Sequence, residues 1–369
     1  MSVPELPPMN VAARADRLRA RFRDADVDVL LVTRPPNVTY LTGFTGSAGT
    51  LLVGPDELVF VTDGRYAEQA GDQLAAAGVA ARIEVRVTQA AQREAMSAAA
   101  SGYQRIGLEA HGVTWAQQRA FETEWFPAAE LVPTEHLVED LRRVKEPGEV
   151  ARIRAACAIG DEALAAALPT LPEKPTEREF ALRLEFEMRA RGATGTSFDP
   201  IVASGPNGAK PHARPSRRSI EPGEPVVLDF GCVVDGYCSD MTRTVSAGDP
   251  GPDAWRVYEV VRGAQQAGRD AVRAGADCAA VDRACRAVIE DAGWGDAFVH
   301  GTGHGVGLEI HEAPRVAATA RDTLATGYVV TVEPGVYLPG VGGVRIEDTL
   351  VVTDDGADVL TTSPKEFLL

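Results

Sequence analysis

The chain has 369 residues, 45% of them hydrophobic and 24% charged, with a net charge of −16. That composition is a globular one, long enough for two domains with a core each, and it excludes a disordered or repeat architecture. The acidic balance repels phosphate, and the pairs Arg142-Arg143 and Arg217-Arg218 are too short for a basic stripe, so nucleic acid is excluded as a partner.

The Pro-rich start is not a basic stretch followed by an apolar run, and no apolar stretch of roughly 18 residues occurs anywhere. A cytoplasmic protein without a membrane partner is expected. Five cysteines (Cys157, Cys232, Cys238, Cys278, Cys285) are odd in number and lack CxxC spacing, which argues against a disulfide framework or zinc knuckle. Cys278 and Cys285, seven apart on a helical pattern, read as core residues.

In chain order, apolar runs at 27–32, 58–61, 83–87 and 106–108 alternate with helical stretches near 10–26, 64–78 and 114–124. This is an α/β layer pattern. Pro147 then suits the first turn of a new helix, with acidic residues about it. The boundary is placed near 142, giving domains 1–142 and 143–369. Beyond it two helices (148–168, 175–191) precede strands at 225–247, and two more (253–275, 278–292) precede strands at 327–353. The repeated order predicts a pseudo-symmetric α+β domain with a central antiparallel sheet.

Within that domain, Val226-Val-Leu-Asp229-Phe-Gly-Cys-Val-Val234, Asp235-Gly236 and Tyr237-Cys-Ser-Asp240-Met-Thr-Arg-Thr-Val245 read as a β-hairpin, because Asp-Gly supplies positive φ angles to a tight turn. If Val234 faces Tyr237, Asp229 falls opposite Thr242 and Asp240 opposite Gly231, as diagonal neighbours on one face. Such neighbours lie about 7–8 Å apart, and two carboxylates there repel unless a cation or proton lies between them. Thr331-Val-Glu333-Pro-Gly and Val344-Arg-Ile-Glu347-Asp-Thr place two further carboxylates in β-type sequence.

Between the halves runs His300-Gly-Thr-Gly-His304-Gly-Val-Gly-Leu-Glu-Ile-His311-Glu. Its glycines argue against a helix and for an extended segment whose backbone closely approaches something. Four carboxylates with one or two histidines form a hard ligand set suited to Mn²⁺ or Co²⁺-like ions. Two divalent ions balance four negative charges, and a pair about 3.5–4 Å apart can activate a water and polarise a carbonyl.

In these motifs the chain resembles the pita-bread metallopeptidases, which include methionine aminopeptidase, prolidase, Xaa-Pro aminopeptidase and the metal-free creatinase. HGTGHGVGLEIHE fits the proline-specific branch, and Asn37-Val-Thr-Tyr-Leu-Thr-Gly-Phe44 with Thr62-Asp-Gly-Arg-Tyr66 is similar to that branch's extra amino-terminal domain. The resemblance implies that Asp229 chelates one ion, that Asp240 and Glu347 bridge both, and that His304 and Glu333 complete the second. Mn²⁺ is the expected ion, with Co²⁺ and Zn²⁺ as alternatives. Glu333 would also shuttle the proton, His212 would stabilise the transition state, and His311 would lie beside the scissile carbonyl. Arg345 matches an arginine that backs a metal ligand, Tyr337 a tyrosine near the site, and His300 a substrate-side histidine.

Arg315 occupies a position that in some prolidases grips the carboxylate of a terminal proline; a solvated loop arginine is the alternative reading. The implied activity is hydrolysis of short peptides with proline in second position, as a dipeptidase or an aminopeptidase, by a homodimer. A metal-free creatinase-like amidinohydrolase and a catalytically silent peptide-binding scaffold are the rival readings. Both typically lose ligand residues, and all five positions are intact.

Overall fold

The computed structural model describes residues 6–369. Residues 1–5, which carry part of the Pro-rich start discussed above, lie outside the described residues. Pro8–Arg142 forms one compact unit, and Arg143–Leu369, with the segment ending at Pro7, forms the other.

In the first unit, β1 (Val29–Val32), β2 (Gly49–Val53), β3 (Leu58–Thr62), β4 (Arg82–Val85), β5 (Arg105–Glu109) and β6 (Glu130–Thr134) make a mixed sheet in the order β4-β3-β2-β1-β5-β6. Every residue of β1 and β3 is buried, the pattern of strands covered on both faces. The expected elements omit β2, β6 and the helices Pro35–Thr42 and Gln89–Ala99. β6 accommodates Pro133 because it is a sheet edge, where a missing N–H costs no ladder bond. Pro35 and Pro36 occupy the first turn of their helix, where proline is tolerated. Buried Asn37 on that helix donates to Glu109 at 2.7 Å and accepts from Arg142 at 2.6 Å. The Asn37–Phe44 motif is therefore a structural clasp of this unit.

The second unit repeats a helix pair and strands twice, as the sequence pattern predicts. Pro147–Ala167 and Glu177–Ala190 cover one apolar cluster, with Phe180, Leu184, Leu228 and Phe230 at its centre. Gly251–Ala271 and Cys278–Asp291 cover the other, around Val261, Ile289, Val330 and Ile346. Glu146 and Glu149 form a reciprocal capping box at the start of the first helix, with Pro147 in its first turn. All five cysteines are buried and free, and no helix among the described residues is long and apolar enough to cross a membrane.

The strands here are β7 (Gly195–Thr196), β8 (Ile201–Ser204), β9 (Val226–Phe230), β10 (Cys232–Val234), β11 (Tyr237–Cys238), β12 (Met241–Val245), β13 (Gly303–Gly305), β14 (Glu312–Val316), β15 (Val329–Val332), β16 (Gly335–Leu338), β17 (Gly342–Arg345), β18 (Asp348–Val352) and β19 (Ala357–Val359). They group as β12-β9-β8, β11-β10-β7, β14-β13-β15-β18-β19 and β16-β17, antiparallel throughout. This is the α/β unit followed by the pseudo-two-fold antiparallel pita-bread unit that the motifs imply. The hairpin register holds: Val234 pairs with Tyr237 and Asp229 with Thr242, and Asp235 and Gly236 both take positive φ, 47° and 84°. The Gly-rich segment is β13, threaded between β14 and β15; a Cβ on Gly303 would lie 2.1 Å from the Thr331 carbonyl oxygen.

The halves join along β12. Glu347 N donates to Thr242 O at 3.1 Å, Thr349 Oγ1 to Asp240 O at 2.8 Å, and Thr244 Oγ1 to Arg345 O at 2.8 Å. Beneath these bonds, Arg243 of β12 pairs with Asp348 of β18 at 2.9 Å, both side chains at most 2% exposed. Lys365 and Arg269 also reach Asp348, and Gln265 donates to it. Burial opposes the ionised carboxyl, but Arg243, Lys365 and Arg269 outweigh it and hold Asp348 below its ordinary value. Removing one partner of a buried pair leaves the other charge unpaired, at a cost of about 3–5 kcal/mol. Asp348→Ala is expected to lower unfolding stability by an amount of that order, measured by urea titration. Because the folded value is depressed, this contribution is present above about pH 4 and fades as pH falls through the folded value. An unchanged midpoint at pH 7 would contradict it.

Candidate metal centre

The join between the halves leaves a cluster of acids facing one another. Asp240 follows the point where the hairpin leaves one sheet for another, Glu333 follows β15, and Glu347 lies between β17 and β18. Asp240, His304 and Glu347 each present a ligand atom, all within 4.8 Å of one another. His304 Nε2 lies 3.5 Å from Asp240 Oδ2 and 3.5 Å from Glu333 Oε1. Asp229 enters from β9, where Arg345 Nη2 pairs with its Oδ2.

The expected Asp229–Asp240 ladder is corrected in one respect. Gly231, Ser239 and Asp240 lie outside the strands, and the hairpin divides there into β9–β12 and β10–β11. A Cβ on Gly231 would lie 1.8 Å from the Ser239 carbonyl oxygen, so the chains approach too closely for any side chain at 231. Asp240 is thereby released from the ladder. The register on either side is unchanged.

Two buried oxygens in this cluster, Asp229 Oδ1 and Glu347 Oε1, have no hydrogen-bond partner. Such atoms are costly unless something positive meets them. Burial pushes Asp240 and Glu347 above the ordinary carboxyl range, and the neighbouring carboxylates add to it. Glu333 is pushed up to about 8, first by burial and then by Asp229, against the opposing charge of Arg345. His304 is pushed down to about 4 by burial and by His311, so its ring is neutral, the form that binds metal. Oxygen-rich donors, a neutral imidazole and unmet lone pairs fit hard divalent cations.

Around the acids the remaining expected residues fall into two groups. His300 Nε2 meets Tyr337 Oη at 2.8 Å, and Arg345 Nη1 donates to the same hydroxyl at 2.7 Å, so a chain runs His300–Tyr337–Arg345–Asp229. Burial lowers His300 to about 4 and raises Tyr337 to about 12. Exposed His311 sets its ring 4.3 Å from that of His304. His212 is exposed and bears electrostatically on both His300 and His311. Arg315, exposed on β14, stands opposite His304 of β13.

Three threonines complete the cluster without a sequence motif to mark them. Thr242 Oγ1 donates to Glu347 Oε2 at 2.7 Å, and Thr331 Oγ1 to Glu333 Oε1 at 3.3 Å. Thr349 holds the Asp240 carbonyl. Their signal is positional: Thr242 is the cross-strand partner of Asp229, and Thr331 lies two residues before Glu333.

Residues 151–354 match Metallopeptidase family M24, and residues 14–144 match the Creatinase/Prolidase N-terminal domain. The structure is similar to that of Xaa-Pro dipeptidase from Bacillus anthracis, at 40% identity, TM-score 0.92 and coverage of 97% of this chain and 100% of that one. It is also similar to X-Pro aminopeptidase from Thermotoga maritima, at 32% identity, TM-score 0.86 and coverage of 95% and 100%. The sequence is 33% identical to Xaa-Pro dipeptidase from Pyrococcus furiosus over 96% of this chain and 99% of that one.

With Glu333 raised to about 8, a cation entering the cluster at pH 7 displaces its proton. Calorimetric titration of metal-stripped protein with Mn²⁺ in buffers of different ionisation enthalpy is expected to show net proton release. Release should shrink as pH rises past 8, once Glu333 is already ionised. Asp240→Ala should bind less metal than the wild type by elemental analysis. Uptake without proton release would show that the acids are not what the cations neutralise.

Proposed function

The chain belongs to metallopeptidase family M24, and from that membership and the acid cluster we propose that it is a dinuclear-metal Xaa-Pro dipeptidase. The observation that carries the reading is the buried convergence of Asp240, Glu333, Glu347 and His304 beside Asp229, with carboxylate oxygens unmet by any protein donor. Asp229 would hold one ion, His304 and Glu333 the other, and Asp240 and Glu347 both; Mn²⁺ suits this donor set. Bound divalent ions supply Lewis-acid polarisation of a carbonyl and a lowered pKa for an attacking water.

The chain's own residues divide the rest of the work. Glu333 takes the proton released by the attacking water and passes it to the proline nitrogen as that nitrogen leaves. His212 donates a hydrogen bond to the oxygen that gains negative charge in the transition state, and His311 flanks the scissile carbonyl. Arg345 fixes Asp229 on one side and Tyr337 on the other. The preference for proline would rest on its tertiary amide, which has no N–H, and on its rigid ring.

Arg315 supports the dipeptidase form of the reading. It stands across the strand pair from His304 and has no carboxylate partner among the described residues. A free guanidinium at that place can take the carboxylate of a terminal proline in two parallel hydrogen bonds, a geometry lysine does not reproduce.

Metal-stripped protein reloaded with Mn²⁺ should cleave Ala-Pro well ahead of Ala-Ala, and ahead of Ala-Pro-Ala. Charge-assisted hydrogen bonds contribute about 1.5–3 kcal/mol, so Arg315→Ala should lower kcat/KM on Ala-Pro by roughly 10–100-fold while sparing Ala-Pro-Ala. Equal cleavage of Ala-Ala would remove the proline-specific reading, and a wild-type preference for the tripeptide would make the enzyme an aminopeptidase. His212→Ala should keep its metal and lose ~10²–10³ in kcat. Metal lost together with activity would make His212 a ligand instead.

A further inference from the structure

His212 sits on a long connection, and the bonds that fix this connection converge on one buried acid far from it in sequence. Residues 205–216 leave β8 and return toward β9 without a strand of their own. Glu177, in the first turn of the helix Glu177–Ala190, has no exposed surface. Its Oε1 accepts from Ser204 N at 2.8 Å and Ser204 Oγ at 3.0 Å. Its Oε2 accepts from Ser216 N at 3.0 Å and Ser216 Oγ at 2.6 Å. Asn207 Nδ2 donates to both oxygens at 3.1 Å. One carboxylate therefore holds Ser204 at the end of β8, Ser216 beyond the histidine and Asn207 between them.

A fourth tie lies beside the histidine: Arg345 Nη1 donates to Pro211 O at 3.2 Å. Within the connection, Lys210 Nζ donates to Asn207 Oδ1 at 3.1 Å, so Asn207 links the acid to the Lys210-Pro211-His212 turn. Burial opposes the charge on Glu177, but the donors on Ser216, Ser204 and Asn207 outweigh it and keep the carboxyl below its ordinary value. All of its partners are donors, so the site demands an acceptor at both oxygens. Glutamine would turn an NH₂ group toward one of the N–H donors and could not accept from it.

We propose that Glu177 is a positioning residue for His212, pinning the chain on either side of it, at Ser204 and Asn207 before and Ser216 after, so that the imidazole is held at the site. This rests on the role given to His212 above. A displacement of about 1 Å in such a group can cost ~10²-fold in rate, so a residue with no contact to substrate can govern turnover.

The test is a double-mutant cycle on the Mn²⁺-loaded full chain with Ala-Pro, comparing wild type, Glu177→Gln, His212→Ala and the double variant. Glu177→Gln is expected to lower kcat by about 10–100-fold with KM and metal content nearly unchanged. In the His212→Ala background the same change should alter kcat by less than about threefold, because the group it positions is gone. Ser216→Ala, which removes one hydroxyl donor and leaves the carboxylate in place, should show the same non-additivity with a smaller loss. It carries the cycle if Glu177→Gln does not fold. Losses that multiply in both cycles would overturn the proposal and leave Glu177 a general structural residue. Wild-type turnover in His212→Ala would instead overturn the role of His212, and the proposal with it.

Discussion

Confined negative charge governs the second unit. Asp229, Asp240, Glu333 and Glu347 are brought into one buried region with the guanidinium of Arg345 among them, and two of their oxygens meet no protein donor. In low dielectric such a set is tenable only with protons or cations between the carboxylates. The raised values of Asp240, Glu333 and Glu347 and the affinity expected for divalent ions are two expressions of the same imbalance. A scaffold that bound peptides without chemistry would gain nothing from it.

The fold answers this repulsion with rigidity around the cluster. Each acid is reached through strands whose other polar groups are tied across the halves: Thr242 to Glu347, Thr244 to Arg345, Thr349 to the Asp240 carbonyl. Asp348, next to Glu347, points the other way and draws Arg243, Lys365 and Arg269 around itself. Adjacent residues thus serve opposite ends. Glu347 adds charge to the cluster, and Asp348 anchors the strand that carries it.

Two histidines come from irregular segments, and each segment is closed by a buried glutamate. Glu177 ties Ser204, Asn207 and Ser216, on either side of His212 in the chain. Glu312, beside His311, pairs with nearly inaccessible Lys145 at 3.0 Å and accepts from Glu309 N at 3.1 Å, which ties down the turn that precedes it. Loops that must hold a side chain in place need such ties, since they have no ladder of backbone bonds to fix them.

What the sequence determined was local and periodic. The Asp235-Gly236 turn set the hairpin register, and with it the pairing of Asp229 with Thr242, because side-chain alternation leaves no freedom once one pair is fixed. Helical periodicity likewise marked the four long helices of the second unit, and the glycines of the His300–His311 segment marked a strand pressed between neighbours. The tertiary structure decided whatever depends on partners far along the chain. The hairpin divides at Gly231 because it must serve two sheets, β6 keeps its proline because it lies at an edge, and Arg345 finds Asp229 across 116 residues. Glu177 looks in sequence like an ordinary acid in the first turn of a helix. Its five donors are assembled only when β8 and the 205–216 connection pack against that turn, since hydrogen-bond partners at long range are chosen by packing.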